Sequence, residues 1–276
     1  MLTERDLRLK SVQYRKDLLR LIKDCGSGHT GGDLSCLDII NVLYNRIMRV
    51  SPETFTSPDR DYYIQSKGHC AEALFVVLAD RGFFPKADLG TLNRYGSPYI
   101  GHPTRDVNGV EQNTGALGHG LAVAVGIALA GKINRKDYRV FTLLGDGELA
   151  EGSNWEAAMM AAHYRLDNLV AIVDRNGLQI TGSTEDVCQL SPLDDKFSAF
   201  GFAVQRCDGN DVGELVRTFE SVPFRPGKPS LVLAKTRKGK GISFMENVAR
   251  WHHAVPNDDE FSRAMVELKE AETAIS

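Results

Sequence analysis

No stretch of this chain is apolar for long enough to cross a bilayer. The longest run free of polar side chains, Gly120 to Gly131, falls well short of the ~20 residues that a spanning helix needs. The start, MLTERDLRLK, mixes charges of both signs and does not read as a secretion signal. Neither sign of charge dominates: 33 Lys and Arg against 36 Asp and Glu leave a net charge of -3. That balance gives no basic footprint for nucleic acid or an anionic membrane surface. Cysteine is sparse, odd in number and never spaced as CxxC. This excludes a disulfide framework or zinc knuckle and suits reduced thiols in the cytoplasm. GxGxxG and Walker A sequences are absent, so the chain lacks both common nucleotide signatures. No repeat or low-complexity segment interrupts it. What is present, 42% hydrophobic and 25% charged over 276 residues, is an ordinary globular composition that reads as one domain.

Apolar runs and helical patterns alternate along the chain. Leu9, Val12, Leu19 and Ile22 share one face of an opening helix that Gly26 and Gly28 stop. DLSCLDIINVLYNRIM predicts a second helix capped by Asp33 or Ser35. DYYIQS, RVFTLLG, NLVAIVD, FAVQRC and SLVLAKT read as strands, with helical segments between them. LAVAVGIALA alternates like a strand, but its alanine content and its continuation through GKINRKD favour a helix. The expected fold is therefore α/β, doubly wound, with a mostly parallel sheet and helices on both faces. The segment at about 236–256 is the longest irregular piece and is read as a functional loop, followed by a C-terminal helix.

One motif raises a chemical question. Gly145–Asp146–Gly147 ends one apolar run, and after 28 further residues Asn176 ends the next. Ligands of open α/β sheets lie outside the carboxyl ends of the strands, and glycine there lets backbone N–H groups approach a phosphate. Asp146 and Asn176 on neighbouring strand ends would supply hard oxygens to Mg²⁺ or Ca²⁺, with a carbonyl near Leu178 completing the set. Taken alone, the tripeptide reads first as a tight strand-to-helix turn with Asp146 as its cap; the strand–helix–strand context and Asn176 favour the ligand reading.

GDG, a gap of this length and an Asn after an apolar strand resemble the cofactor motif of thiamine-diphosphate enzymes. With SGHTGG at 27–32, SKGH at 66–69, GHP at 101–103, TGALGHG at 114–120 and KGKGISFMENVARWHH at 238–253, the whole chain resembles the transketolase family. It is similar to that family's diphosphate-binding part and ends where a pyrimidine-binding domain would begin, as in the amino-terminal subunit of a split transketolase. The resemblance implies thiamine diphosphate and Mg²⁺ or Ca²⁺ as cofactors, with Asp146, Asn176 and the Leu178 carbonyl on the metal. It implies Gly145, Gly147, His69 and His252 at the diphosphate, and backbone atoms of Gly115 and Leu117 near the aminopyrimidine. His29 and His102 would line the substrate channel with His69, and Glu151 would join a carboxylate network across an interface. The pyrimidine-activating glutamate and the arginines that grip sugar phosphate would come from a carboxy-terminal partner subunit, in an α2β2 assembly.

Imidazoles that donate hydrogen bonds and shuttle protons suit a reaction in which alkoxides form and vanish. Some residues stay open. WHH could turn either imidazole inward, with His252 favoured. His119 stands where the family commonly has glutamine and is either helix-start packing or functional. His163 reads as structural, and Lys235, Arg237, Lys238 and Lys240 as a solvated loop with phosphate contact as the alternative. Thr30 and Thr104 depart from the proline and the acid common in full-length transketolases, so sugar preference does not carry over. Rival readings are a dehydrogenase α-subunit or deoxyxylulose-phosphate-synthase-like protein, a nucleotide-binding protein, and a non-catalytic assembly subunit.

Overall fold

The apolar runs are continuous because both of their faces are covered. In the computed structural model, which describes residues 2–180 and 182–275, the five strands are β1 (Tyr62–Gln65), β2 (Val140–Gly145), β3 (Leu169–Arg175), β4 (Ala203–Asp208) and β5 (Ser230–Lys235). They form one sheet in the order β1-β2-β3-β5-β4, and all four pairings are parallel. The helices are α1 (Glu4–Cys25), α2 (Thr30–Val42), α3 (Ala71–Asp80), α4 (Gly120–Ile133), α5 (Gly152–His163), α6 (Thr184–Val187), α7 (Leu193–Phe200), α8 (Val212–Glu220) and α9 (Asp258–Ile275).

Strand side chains alternate between two cores, as the pleat requires. Phe141, Leu143, Val170, Ile172, Val232 and Ala234 join α1, α2, α3, α8 and α9 on one face. Val140, Leu144, Leu169, Ala171, Val173, Leu231 and Leu233 join α4, α5 and α7 on the other. The strand-like alternation of LAVAVGIALA gives way to helix α4, whose Leu121, Ala124, Val125 and Ala128 pack on the sheet. Alanine favours helix, and the i, i+3, i+4 spacing of the buried set buries a stripe that a strand would have split between faces.

One local expectation changes. α2 begins at Thr30 with His29 at the cap position, so neither Asp33 nor Ser35 caps it. Asp33 reaches across to α3 and accepts the Ala73 N–H at 2.9 Å. The two helix starts meet closely because Gly32 has no side chain: a Cβ there would lie 2.8 Å from Cys70 Sγ. The 236–256 segment is pinned to the fold, since Ile242, Met245 and Trp251 are buried. Gly239 N donates to Gly31 O at 2.9 Å, and Thr30 Oγ1 donates to Ala254 O at 2.6 Å, laying the segment over the start of α2. Among the described residues no helix is long and apolar enough to cross a membrane.

Candidate active site

Parallel strands end at a common edge, so the turns after β1, β2, β3 and β5 gather there. Gly145 and Asp174 are register partners, which places the following residues, Asp146 and Asn176, side by side. Asp146 Oδ1 accepts from Gly147 N at 2.9 Å, and Oδ2 accepts from Gly177 N at 2.6 Å and Arg175 Nη1 at 3.0 Å. Asn176 Oδ1 accepts from Leu178 N at 3.1 Å, while its Nδ2 donates to Asp174 Oδ2 at 3.3 Å and Ser35 Oγ at 3.4 Å. Beneath them Asp174 is fully buried and ion-paired with Lys67, and it also accepts from Ser35 and Thr236. Against the penalty of burial, Lys67 holds the Asp174 carboxyl below its ordinary range.

Above these strand ends lies a cavity of about 220 Å³. Its lining includes Gly145, Asp146, Gly147, Asn176 and Leu178 from the strand ends, and His29, His69, His252, Gly115 and Leu117 from the turns and helix starts. The histidines arrive from separate turns and converge on His29, whose ring centroid lies 5.1 Å from His69, 5.6 Å from His252 and 6.3 Å from His102. His253 is nearer still, at 4.7 Å, so both imidazoles of WHH approach the cluster and only His252 reaches the cavity. His102 stands just outside the lining, over Gly115. That glycine has φ +137°, and a Cβ on it would lie 2.5 Å from the His102 ring. Glu151 is also outside, exposed at the start of α5 and packed against Gly118.

The basic run is where sequence reading fails most clearly. Lys238 is not solvated: it is 2% exposed and lines the cavity. Its ammonium donates to Leu178 O at 3.3 Å and to His252 Nδ1 at 2.8 Å. Because an ammonium has no lone pair, Nδ1 accepts and the His252 proton sits on Nε2. Burial, then the nearby Lys67 charge, brings Lys238 down to about 8. Burial, then Lys238, brings His252 to about 3; burial, then His253, brings His29 to about 4. Burial and Lys67 push His69 down as well, and burial alone lowers His102. At neutral pH these imidazoles are uncharged, each with one donor and one acceptor nitrogen.

Sequence reading also passed over Glu148. It is buried three residues before the exposed Glu151 and accepts from Gly118 N at 2.9 Å, Gly145 N at 3.0 Å and the Ser66 hydroxyl. One carboxylate thus ties the 114–120 turn, the end of β2 and the SKGH turn together. His119 is exposed and its Nδ1 donates to Ala116 O at 3.0 Å, closing its own turn. His163, at the end of α5, lies against the Tyr164 ring and is not part of a packed helix face.

Residues 12–270 match the transketolase thiamine diphosphate binding domain family. The chain is 47% identical over 264 residues to an apulose-4-phosphate transketolase subunit from Phocaeicola vulgatus, covering 96% of this chain and 94% of that one. It is 41% identical over 265 residues to the 6-deoxy-6-sulfo-D-fructose transketolase subunit SqwG of Clostridium sp., covering 96% of each. Among solved structures, the Campylobacter jejuni transketolase superposes with a TM-score of 0.90 at 28% identity, covering 100% of this chain but 46% of its own. The chain therefore spans less than half the length of that transketolase and nearly the full length of the two subunits. It belongs to the transketolase family, as a counterpart of the thiamine-diphosphate-binding subunit of two-component transketolases.

Proposed function

We propose that this chain is the amino-terminal subunit of a two-component transketolase that moves a two-carbon ketol unit from an anionic ketose, phosphorylated or sulfonated, to an aldose. The observation that carries it is the meeting of His29, His69 and His252 with the Asp146–Asn176 pair around one cavity, with His102 just outside its lining. The partner would be a carboxy-terminal subunit with the pyrimidine-binding domain, in an α2β2 assembly in the cytoplasm. Both named relatives are subunits, and both carry the name of a sugar with an anionic substituent.

The donor set fits a diphosphate held through a divalent cation. Asp146, Asn176 and the Leu178 carbonyl offer three hard oxygens, the set Mg²⁺ or Ca²⁺ prefers. The Leu178 carbonyl already attracts positive charge, since it takes the Lys238 ammonium here. Bound thiamine diphosphate supplies the electron sink for carbon–carbon cleavage. The Gly147 backbone would face the diphosphate, neutral His69 and His252 would bring N–H donors to it, and Lys238 would bring one buried positive charge. Gly115 and Leu117 present backbone to the aminopyrimidine. His29 and His102, neutral but with one N–H each, orient sugar hydroxyls and pass protons as alkoxides form and collapse. Glu151, exposed on the rim, would join carboxylates of a neighbouring subunit.

The test is reconstitution. Mixed with its partner, thiamine diphosphate and Mg²⁺, the chain should transfer ketol units from a panel of sugar phosphates and sulfonates, whereas alone it should show no transfer and little cofactor affinity. Substantial turnover by the isolated chain refutes the two-component reading. Tight cofactor binding by the pair without transfer from any donor makes this an assembly subunit.

A further inference from the structure

Asp33 and Glu72 take no part in the chemistry above, yet both are wholly buried. Asp33 lies in the first turn of α2, four residues after His29, and Glu72 in the first turn of α3, three after His69. One Asp33 oxygen caps α3 through Ala73 N. The other, and both oxygens of Glu72, have no hydrogen-bond donor. Because Asp33 is hydrogen-bonded to the residue after Glu72, the two carboxyls come together at the junction where Gly32 packs on Cys70 and His69.

A carboxylate can only accept, so two facing carboxylates repel and leave these oxygens unsatisfied. One proton between them turns a repulsion into a charge-assisted O–H···O⁻ bond. The neighbours do not remove the need for it. Lys67 is committed to Asp174 and the Gly32 carbonyl. His69 is held neutral, and the thiols of Cys70 and, from α1, Cys25 are raised by burial and carry no charge at neutral pH. We propose that Asp33 and Glu72 share a single proton at neutral pH, and that this bond sets the spacing of the two helix starts that carry His29 and His69. Both are positioning residues. Burial raises both carboxyls, in agreement. The shared proton is independent of the transketolase reading; only its effect on turnover depends on that reading.

The sign of the pH effect follows. Between the ordinary carboxyl range and the raised folded value, the folded chain binds a proton that the unfolded chain has lost, so stability falls as pH rises. Across about pH 5 to 8 the wild-type unfolding equilibrium should shift toward unfolding relative to Glu72→Gln, approaching tenfold per pH unit in the steepest part. Glu72→Gln keeps the shape and provides a permanent donor, and Asp33→Asn does the same from the other side. Infrared spectra at neutral pH should show a carboxylic-acid C=O band in the wild-type chain that is lost in either variant. The ring resonances of His29 and His69 should follow the pair's titration in wild type and lose that step in Glu72→Gln. Parallel stability curves for wild type and both variants, or the absence of the acid band from wild type, overturn the proposal.

Discussion

The cavity has two sides built on opposite principles. On the strand side, Asp146, Asn176 and Asp174 have donors on their oxygens from backbone N–H, Arg175, Lys67, Ser35 or Thr236. On the helix side, His29 Nδ1 at the cavity, and Thr114 Oγ1, the outer Asp33 oxygen and both Glu72 oxygens behind its lining, are buried without a partner. The counter-ion decides the charge: Asp174, paired with Lys67, is held below the ordinary carboxyl range, while burial raises Asp33 and Glu72, and Asp146 as well despite its donors. Donors already on Asp146 and Asn176 would lock them for a fixed cation, whereas His29 Nδ1 keeps a free lone pair for a hydroxyl or a proton, with Asp33 and Glu72 as positioning groups behind it. The difference separates holding from reacting.

The sharpest way to break the contrast is on the strand side. Lys67→Met leaves Asp174 charged, buried and without its counter-ion, and should cost about 3–5 kcal/mol of stability, read from denaturant midpoints. Adding Asp174→Asn should restore most of that loss; if it does not, the ion pair is not what Lys67 contributes. Next in size comes the helix side. His102→Ala and His29→Ala should lower kcat by ~10²-fold while leaving the cofactor concentration for half-saturation near wild type. His69→Ala and His252→Ala should instead require more cofactor. A His102→Ala enzyme with weak cofactor binding and full turnover at saturation would reverse these assignments.

Returning to the strand side, Asp146→Ala and Asn176→Ala should each weaken Mg²⁺-dependent thiamine diphosphate binding by at least ~10-fold, by analogy with losses around metal ligands. Unchanged titration curves for both would remove them from the metal site. The smallest effect tests Lys238, which bridges the two sides. Its ammonium is charged below about 8 and is lost as pH rises through that value, so cofactor affinity should decline above pH 8. The decline between pH 7 and pH 9 should reach about tenfold at most and flatten in Lys238→Met. An equal slope in that variant would assign it to another group.

Glycines and histidines made the site legible, because each motif is short and local: SGHTGG, SKGH and GHP each supply a turn and its side chain together. The strands were legible because sheet burial on both faces leaves continuous apolar runs. The buried charges were not. Lys67 meets Asp174, 107 positions away, and Ser66 meets Glu148, 82 away. Nothing near Lys238 in the sequence distinguishes it from exposed Arg237; only the fold of the 236–256 segment does. Asp33 misled for a related reason, since a capping residue was legible but the helix it caps was not its own.

The order of the strands has a consequence for how the protein is made. β5 is the last strand in the chain but lies between β3 and β4. Until residues 230–235 have left the ribosome, β3 keeps an open edge and β4 has no strand to join. Lys238 and His252 follow immediately after, so the same last stretch that closes the sheet also completes the cavity. A nascent chain halted before it would carry Asp146, Asn176 and three of the four histidines without their common enclosure, and its bare β3 edge would invite pairing with other chains. Cofactor retention is therefore a readout of finished synthesis as much as of chemistry.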